Sequence, residues 1–133
     1  MDFPTVKYLK FVHEAVLVES PGRPGILDEG QLVSAARQPI QSAGGEDAYP
    51  TFFWKVAATG TRVAHDHSFE DANKRTSLQV MLSTLEQNDF YPEPEEREAA
   101  IIMVLTAMGL LDIAGLRIAL MMWCGIDPAD QEA

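Results

Sequence analysis

Apolar residues recur three or four positions apart in several stretches of the chain, and this spacing predicts a series of amphipathic helices. The first stretch lies between Thr5 and Val18, where Lys7 and Glu14 separate the apolar positions. The same spacing returns in the run Leu-x-x-Met-Leu-x-x-Leu at 78–85. The predicted helices cover, in chain order, residues 5–18, 28–36, 51–64, 74–87, 95–111 and 112–123.

Residues that favour helix ends support several of these boundaries. Asp28, Thr51 and Asp112 each precede a predicted helix and can cap its N-terminus. Pro39 ends the second helix because proline has no backbone N–H to donate. Two prolines and two glycines within residues 20–25 predict a loop between the first two helices.

The remaining segments fit an all-helical fold. No stretch alternates convincingly between apolar and polar residues, so no strand is predicted. The polar connection 41–50 is interpreted either as a surface loop or as a flap over a site. Gly60 predicts a break or a close helix contact, and the apolar run 99–111 predicts a deeply buried helix. We therefore predict an all-α fold, a compact bundle of about six helices, with residues 1–133 forming a single domain.

Residues 67–76 place two cations where the fourth helix begins. This run is His-Ser-Phe-Glu-Asp-Ala-Asn-Lys-Arg-Thr, so Lys74 and Arg75 fall in the first turn. The partial positive charge of a helix N-terminus disfavours each cation by roughly 0.3–1 kcal/mol. Glu95 and Glu96, at the start of the fifth helix, follow the usual preference instead. Because backbone N–H groups at a helix N-terminus bind anions, the two cations predict a phosphate-binding site.

The same run contains the other groups that phosphate chemistry uses. Asp71 is a hard oxygen ligand of the kind that binds Mg²⁺ together with substrate phosphates. His67 is suited to proton transfer near neutral pH, and Asn73 offers an amide. Phe69 is expected to turn inward and anchor the loop. Each residue also has a structural interpretation, since Asp71 or Asn73 can cap the helix, His67 can be an ordinary loop histidine, and the two cations can form a solvated face.

Two further histidines have weaker claims to a function. His65, Asp66 and His67 form an H-x-H pair with an adjacent carboxylate, which can bind Zn²⁺ or Fe. The sequence does not supply a third and fourth ligand for such a site. His13 lies inside the first helix, where a role in the core or in capping is a commoner interpretation than a functional one.

Composition limits the partners of the chain. Its 133 residues are 47% apolar, which is enough for one hydrophobic core. The net charge of −10 argues against nucleic acid as a partner. Cys124 is the single cysteine and cannot form an internal disulfide, which suits the cytoplasm. We find neither a signal peptide nor a membrane-spanning run, so we predict a cytoplasmic protein that does not bind membranes.

The run 67–76 resembles the signature of the Fic/Doc superfamily, and most closely that of its Doc (death-on-curing) branch, H-x-F-x-D-A/G-N-K-R-T. A second region also resembles Doc-like proteins, namely Pro-Gly-Ile-Leu-Asp at 24–28, followed by Leu32 and Pro39. The positions that fit the signature are His67, Phe69, Asp71, Ala72, Asn73, Lys74, Arg75 and Thr76.

These residues predict nucleotide-dependent group transfer, which relies on positioning and charge stabilisation. His67 is expected to take the proton of an attacking hydroxyl, and Asp71 to hold Mg²⁺ across the phosphates of ATP. The expected phosphate contacts come from Asn73, Lys74 and Arg75, and Phe69 is the structural anchor.

The resemblance also bears on which phosphorus is attacked. Ser68, Lys74 and Leu78 stand where the AMP-transferring Fic motif has proline, glycine and arginine. A lysine in place of that glycine is expected to block the usual nucleotide pose. Doc-like proteins, which share these departures, are toxins that pass the γ-phosphate of ATP to a threonine of elongation factor Tu. The resemblance therefore implies a kinase toxin and a separate antitoxin with a disordered tail.

Two alternatives remain open from the sequence. The first is a Fic-type enzyme that transfers AMP or another nucleotidyl group to protein. The second is a non-catalytic interaction protein that uses the motif to bind anions. The presence of both His67 and Asp71 argues against the second alternative, since neither is needed when nothing is catalysed.

Overall fold

The computed structural model describes residues 2–130, which form six α-helices and one small hairpin. This arrangement confirms the predicted all-α fold. The helices begin within one residue of the predicted positions, and only the fifth ends several residues early. They are α1 (Val6–Glu19), α2 (Glu29–Arg37), α3 (Phe52–His65), α4 (Asn73–Gln87), α5 (Glu96–Ala107) and α6 (Ile113–Trp123). One turn of 3₁₀ helix, Gln38–Ile40, follows α2 and contains Pro39.

Side-chain caps define several helix starts. The carboxylate of Asp28 accepts the N–H of Gln31 at 3.3 Å, and that of Asp112 accepts the N–H of Gly115 at 2.8 Å. Thr51 occupies the N-cap position of α3. All three predicted capping residues therefore lie at helix starts, and the side chains of Asp28 and Asp112 each satisfy a backbone donor of the first turn.

Helix α3 is the centre of the bundle and packs against α2, α4, α5 and α6. Gly60, which lies in the middle of α3, makes a close contact with α4. The Ser77 hydroxyl donates to the backbone oxygen of Gly60 at 2.6 Å, and a Cβ on Gly60 would overlap the buried side chain of Met81. The helix continues through Gly60, so this glycine marks a close helix contact and not a break.

The buried apolar residues form two clusters that share α3 and α4. The first lies between α3, α4, α5 and α6 and includes Phe53, Met81 and Leu120. The second lies between α1, α2 and the α3–α4 loop and includes Leu9 and Phe69. This second cluster supports the loop that carries the motif.

The connection 41–50 is more ordered than the sequence predicts. Ser42–Ala43 and Glu46–Asp47 pair as the antiparallel strands β1 and β2. The turn between them consists of Gly44 and Gly45, with φ angles of 60° and 85°, a conformation that glycine adopts without strain. The prediction of no strand is wrong here, because strands of two residues are too short to show alternation.

The prediction of a deeply buried fifth helix is also wrong. Within α5 only Ala99, Met103 and Thr106 are buried, while Ile101 and Val104 are 51% and 43% exposed. A helix with apolar residues on all sides does not reveal which face packs inward. None of the helices in residues 2–130 is both long and apolar enough to cross a membrane.

Candidate active site

The loop between α3 and α4 has an unusual backbone. His67 and Ala72, at its two ends, have positive φ angles of 44° and 66°. Residues with a side chain pay roughly 1–2 kcal/mol for the left-handed conformation. Such a conformation persists only where the surrounding structure imposes it.

Residues 24–28, which precede α2, hold the motif loop in place by β-type backbone pairing. Leu27 and Asp28 donate their N–H groups to the oxygen of Ser68, at 2.9 and 3.2 Å. Glu70 in turn donates to the oxygen of Gly25 at 3.0 Å. The segment Pro-Gly-Ile-Leu-Asp, whose resemblance to Doc-like proteins is described above, therefore serves as a backbone support for the motif.

Phe69 and Asn73 fix the loop from within. The Phe69 side chain is 1% exposed and lies in the second core cluster, which agrees with its predicted role as an anchor. The Asn73 amide oxygen accepts the N–H of Phe69 at 3.1 Å, and its amide nitrogen donates to the oxygen of Phe69 at 2.9 Å. The Asn73 side chain is therefore committed to the loop, and its backbone N–H is what it can offer to an anion.

Helix α4 begins without a side-chain cap. Its N-cap residue is Ala72, so neither Asp71 nor Asn73 caps the helix. Within the described part of the chain, no acceptor takes the first-turn N–H groups of Asn73, Lys74 and Arg75. Three donors at the positive end of a helix therefore point to an acceptor that the protein itself does not provide.

Asp71 lies beside these donors as an ionised carboxylate. One of its oxygens accepts the N–H of Arg23 at 3.1 Å, and the other accepts the N–H of Ala72 at 2.8 Å. These two backbone hydrogen bonds, with the charges of Arg23 and Arg75, lower the pKa of Asp71. A carboxylate oxygen has two lone pairs, so both oxygens keep a lone pair for a further ligand.

The polar residues of the motif meet in one cavity of about 220 Å³. Lys74 is exposed there, whereas the Arg75 guanidinium is held by a 2.6 Å hydrogen bond from Nη1 to the oxygen of Ser20. His67 is exposed and lines the cavity, whereas Phe69 is buried beneath the loop and does not line the cavity. No hairpin residue lines the cavity, so the interpretation of 41–50 as a flap over this site finds no support. The lining residues are Ala64, His67, Glu70, Asp71, Ala72, Asn73, Lys74, Arg75 and Ala107.

Two residues from distant parts of the chain reach this loop and were not predicted. Arg23 binds Asp71 through its backbone, and its guanidinium is 3.8 Å from the Glu70 carboxylate. His13 is buried, as expected of a core histidine, yet its Nε2 is 2.9 Å from the backbone oxygen of Asp71. The tertiary fold brings these residues to the loop, and the periodicity of the sequence does not predict such long-range contacts.

The alternative H-x-H metal site is not formed. His65 Nδ1 lies 3.1 Å from Asp66, and Arg62 lies 2.9 Å from the other oxygen of the same carboxylate. Burial raises the pKa of Asp66, but the hydrogen bonds from Arg62 and His65 outweigh burial and lower it. Among residues 2–130, no three His, Cys, Asp or Glu side chains are placed to hold a metal ion. An ion that takes one carboxylate and completes its shell with phosphates still fits Asp71.

Comparison with known proteins agrees with this geometry. No curated protein matches the chain. The model of the Fic/DOC family matches residues 3–85, which is more than half of the 133 residues. The match covers α1 to α3, the motif loop and all but the last two residues of α4. Members of this family are generally transferases that add AMP or phosphate. The chain therefore belongs to the Fic/DOC family.

Proposed function

We propose that the chain is a Doc-type protein kinase toxin that transfers the γ-phosphate of ATP to a Ser or Thr hydroxyl of a translation factor resembling elongation factor Tu. One observation carries the proposal. Asn73, Lys74 and Arg75, whose N–H groups have no acceptor among the described residues, line the cavity that also holds His67 and Asp71. Donors, cations, a base and a carboxylate in one place are the groups that phosphoryl transfer requires.

His67 is the proposed general base. Its imidazole is exposed in the cavity and can reach an incoming hydroxyl. Removing the hydroxyl proton as the oxygen attacks phosphorus contributes roughly 10²–10⁴-fold to such reactions. His67→Ala is therefore expected to abolish most of the activity while leaving the buried core intact.

Asp71 is the proposed Mg²⁺ ligand. Its lowered pKa keeps the carboxylate ionised, as a metal ligand must be. Mg²⁺ is usually bound by one or two carboxylates together with substrate phosphates, so a single Asp71 is enough on the protein side. A bound Mg²⁺ would neutralise charge on the phosphates of ATP.

Lys74 and Arg75 are the proposed charge partners of the transferred group. Arg75 is oriented by its hydrogen bond to Ser20, whereas Lys74 is exposed and adaptable. Lys74 lies in the first turn of α4 and lines the cavity, at a position where a glycine would let a nucleotide approach the backbone closely. The bulk of the lysine side chain favours attack at the terminal phosphorus over attack at the α-phosphorus.

The proposal also includes a partner and a location. We propose that a separate antitoxin, whose disordered tail folds on binding, inhibits the enzyme in the cytoplasm. The resemblance of the motif to Doc supports the antitoxin, and the single Cys124 suits the cytoplasm. Neither nucleic acid nor membrane is proposed as a partner.

A labelling experiment tests the reaction. The purified protein and Mg²⁺ are incubated with elongation factor Tu, and separately with bacterial lysate, in the presence of ATP labelled at the α- or the γ-phosphate. Label on protein from the γ-phosphate alone is expected. His67→Ala should reduce this label by roughly 10²-fold or more. His65→Ala is the matched control, since His65 is also exposed and lies two residues away but does not line the cavity.

The other outcomes decide between the alternatives. Label that arrives from the α-phosphate would replace the kinase by a nucleotidyl transferase and would contradict the argument from Lys74. Label that survives His67→Ala would remove His67 from the mechanism. Phosphate binding without any transfer would favour the non-catalytic alternative.

A further inference from the structure

His13 of α1 contacts the motif loop from its buried side, although it precedes Asp71 by 58 residues. Its Nε2 lies 2.9 Å from the backbone oxygen of Asp71. Because a carbonyl oxygen only accepts, Nε2 carries the proton and donates it to this bond. The imidazole also stacks on the Phe69 ring, with centroids 3.8 Å apart and 4° between the planes. His13 is 4% exposed, so both contacts are shielded from water.

The hydrogen bond from His13 fixes the peptide group that joins Asp71 to Ala72. The oxygen of this peptide accepts from His13, and its N–H donates to the Asp71 carboxylate at 2.8 Å. Both polar atoms of the peptide group are therefore occupied, and it cannot turn without losing two hydrogen bonds. The next residue is Ala72, whose left-handed φ of 66° sets the direction in which α4 begins.

We propose that His13 is a positioning residue of the active site. By donating to the Asp71 oxygen, it holds the Asp71 carboxylate and the first N–H groups of α4 in the arrangement that binds phosphate. The ligand class rests on the proposed function, but the positioning rests on the contacts of His13 alone.

Two substitutions separate the hydrogen bond from the ring contact. His13→Phe keeps a flat ring against Phe69 and removes the donor. His13→Gln keeps an N–H donor on a side chain of similar reach and removes the ring. Val16→Ala is the matched control, because Val16 is buried in α1 within the same core cluster but makes no hydrogen bond to the loop.

The first readout is the steady-state kinetics of transfer from ATP. Loss of the donor in His13→Phe should raise KM for Mg²⁺-ATP roughly tenfold, the size expected of one buried hydrogen bond. The melting temperature should fall no further than in Val16→Ala, and His13→Gln should recover most of the affinity. Equal losses in the Phe and Gln variants, or an unchanged KM in His13→Phe, would overturn the proposal.

The second readout needs no activity. In NMR spectra of the protein without nucleotide, the amide signals of Ala72 and Asn73 should move in His13→Phe and stay near their wild-type positions in His13→Gln. Amide signals that do not respond to His13→Phe would refute the positioning role even if the wild-type enzyme is active. A wild-type protein that transfers no phosphate would refute the proposed function, while these signals would still decide the role of His13.

The role of the His13 hydrogen bond can still be decided if one of the variants does not fold. If His13→Phe is unfolded, His13→Gln is compared with Val16→Ala alone. Amide signals of Ala72 and Asn73 at wild-type positions would then support the donor as the essential feature. Displaced signals in His13→Gln, with an intact Val16→Ala, would show that the ring contact holds the loop.

Discussion

At the scale of single residues, the site depends on a peptide that the surrounding groups hold in an unfavourable backbone conformation. Ala72 is not a glycine, yet its φ is 66°, and it is 8% exposed in the second core cluster. The hydrogen bonds from His13 and to Asp71 compensate for this conformation. The first N–H groups of α4 follow directly after this peptide and have no acceptor among the described residues.

The acidity of Asp71 has a consequence for stability. Its pKa is lowered in the folded protein, so it stabilises the fold above the unfolded value of 3.8, and this contribution disappears as the pH falls through the lower folded pKa. Asp71→Asn keeps the shape of the side chain and removes the charge. We expect wild type to be more stable than this variant, by an amount that is constant from pH 7 to pH 5 (about two units across which the carboxylate stays ionised) and shrinks at about pH 3.

Urea unfolding at several pH values measures this difference. Asp130→Asn, at an exposed aspartate outside the cavity, controls for the change in net charge. Asp71→Asn should also lose Mg²⁺-dependent transfer at pH 7, since a neutral amide is a poor ligand for Mg²⁺. A stability difference that is already lost between pH 7 and pH 5 would contradict the lowered pKa.

At the scale of elements, the contact between α3 and α4 fixes the two helices that flank the motif loop. Gly60 has no side chain, and Met81 of α4 fills the space where its Cβ would lie. Gly60→Ala should therefore destabilise the protein by roughly 1–3 kcal/mol, because the new Cβ would overlap the fully buried Met81 side chain and force it to repack.

A double-mutant cycle tests this contact. Met81→Ala alone should cost about 2–5 kcal/mol through the cavity it creates. In the double variant the new Cβ on residue 60 occupies part of that cavity, so the total loss should be smaller than the sum of the two single losses. Denaturant unfolding supplies the three free energies. Strictly additive losses would show that Gly60 and Met81 are not in contact.

The elements differ in how far the sequence determines them. The boundaries of α2 and α6 were predictable because Asp28 and Asp112 are capping residues that precede apolar spacing. The packed face of α5 was not predictable, since Ile101 and Val104 have the same chemistry as its buried residues. The hairpin 42–47 was missed because its strands have two residues each.

For the site, the motif predicted which residues would be close together but not how each is used. His67, Asp71 and Lys74 do line one cavity, because they belong to a single loop and helix start. The side-chain amide of Asn73 is hydrogen-bonded to Phe69, so the expected contact of Asn73 with phosphate stays a prediction for its backbone N–H. Contacts with the loop from distant residues, such as that of His13, depend on the packing of α1 against the loop. The local spacing of residues in the sequence does not predict them.

At the scale of the whole molecule, charge is distributed unevenly. The net charge is −10, while Lys74 and Arg75 line the motif cavity and the Arg23 guanidinium lies 3.8 Å from the carboxylate of Glu70, which also lines it. Charges more than about 8 Å away are largely screened at physiological ionic strength. A small anion in the cavity would therefore interact mainly with the nearby charges, which are these cations and the carboxylates of Glu70 and Asp71. A long polyanion would also meet the acidic remainder of the surface, so the net charge of −10 disfavours the binding of nucleic acid.

The match to the Fic/DOC family ends at residue 85, yet the first core cluster continues into α5 and α6. The residues of this cluster that come from α5 and α6 are Ala99, Met103, Leu116, Ala119, Leu120, Met121 and Trp123. The Trp123 oxygen also accepts the N–H of Glu93 at 2.8 Å. A chain cut after residue 90 would leave Phe53, Met81 and Leu85 of α3 and α4 uncovered. It should therefore fail to fold, which is the outcome expected if residues 1–133 are a single domain.

Circular dichroism and thermal unfolding of the shortened chain measure this directly. We expect weak helicity and no cooperative transition, because large exposed apolar surface removes the main driving force for folding. Adding residues 91–133 as a separate peptide should restore the transition, since it supplies the missing half of the core. A cut after Ile126, which keeps all of that cluster, is the control and should unfold cooperatively. Cooperative unfolding of residues 1–90 alone would mean that α1 to α4 form an independent unit and that α5 and α6 are an addition to it.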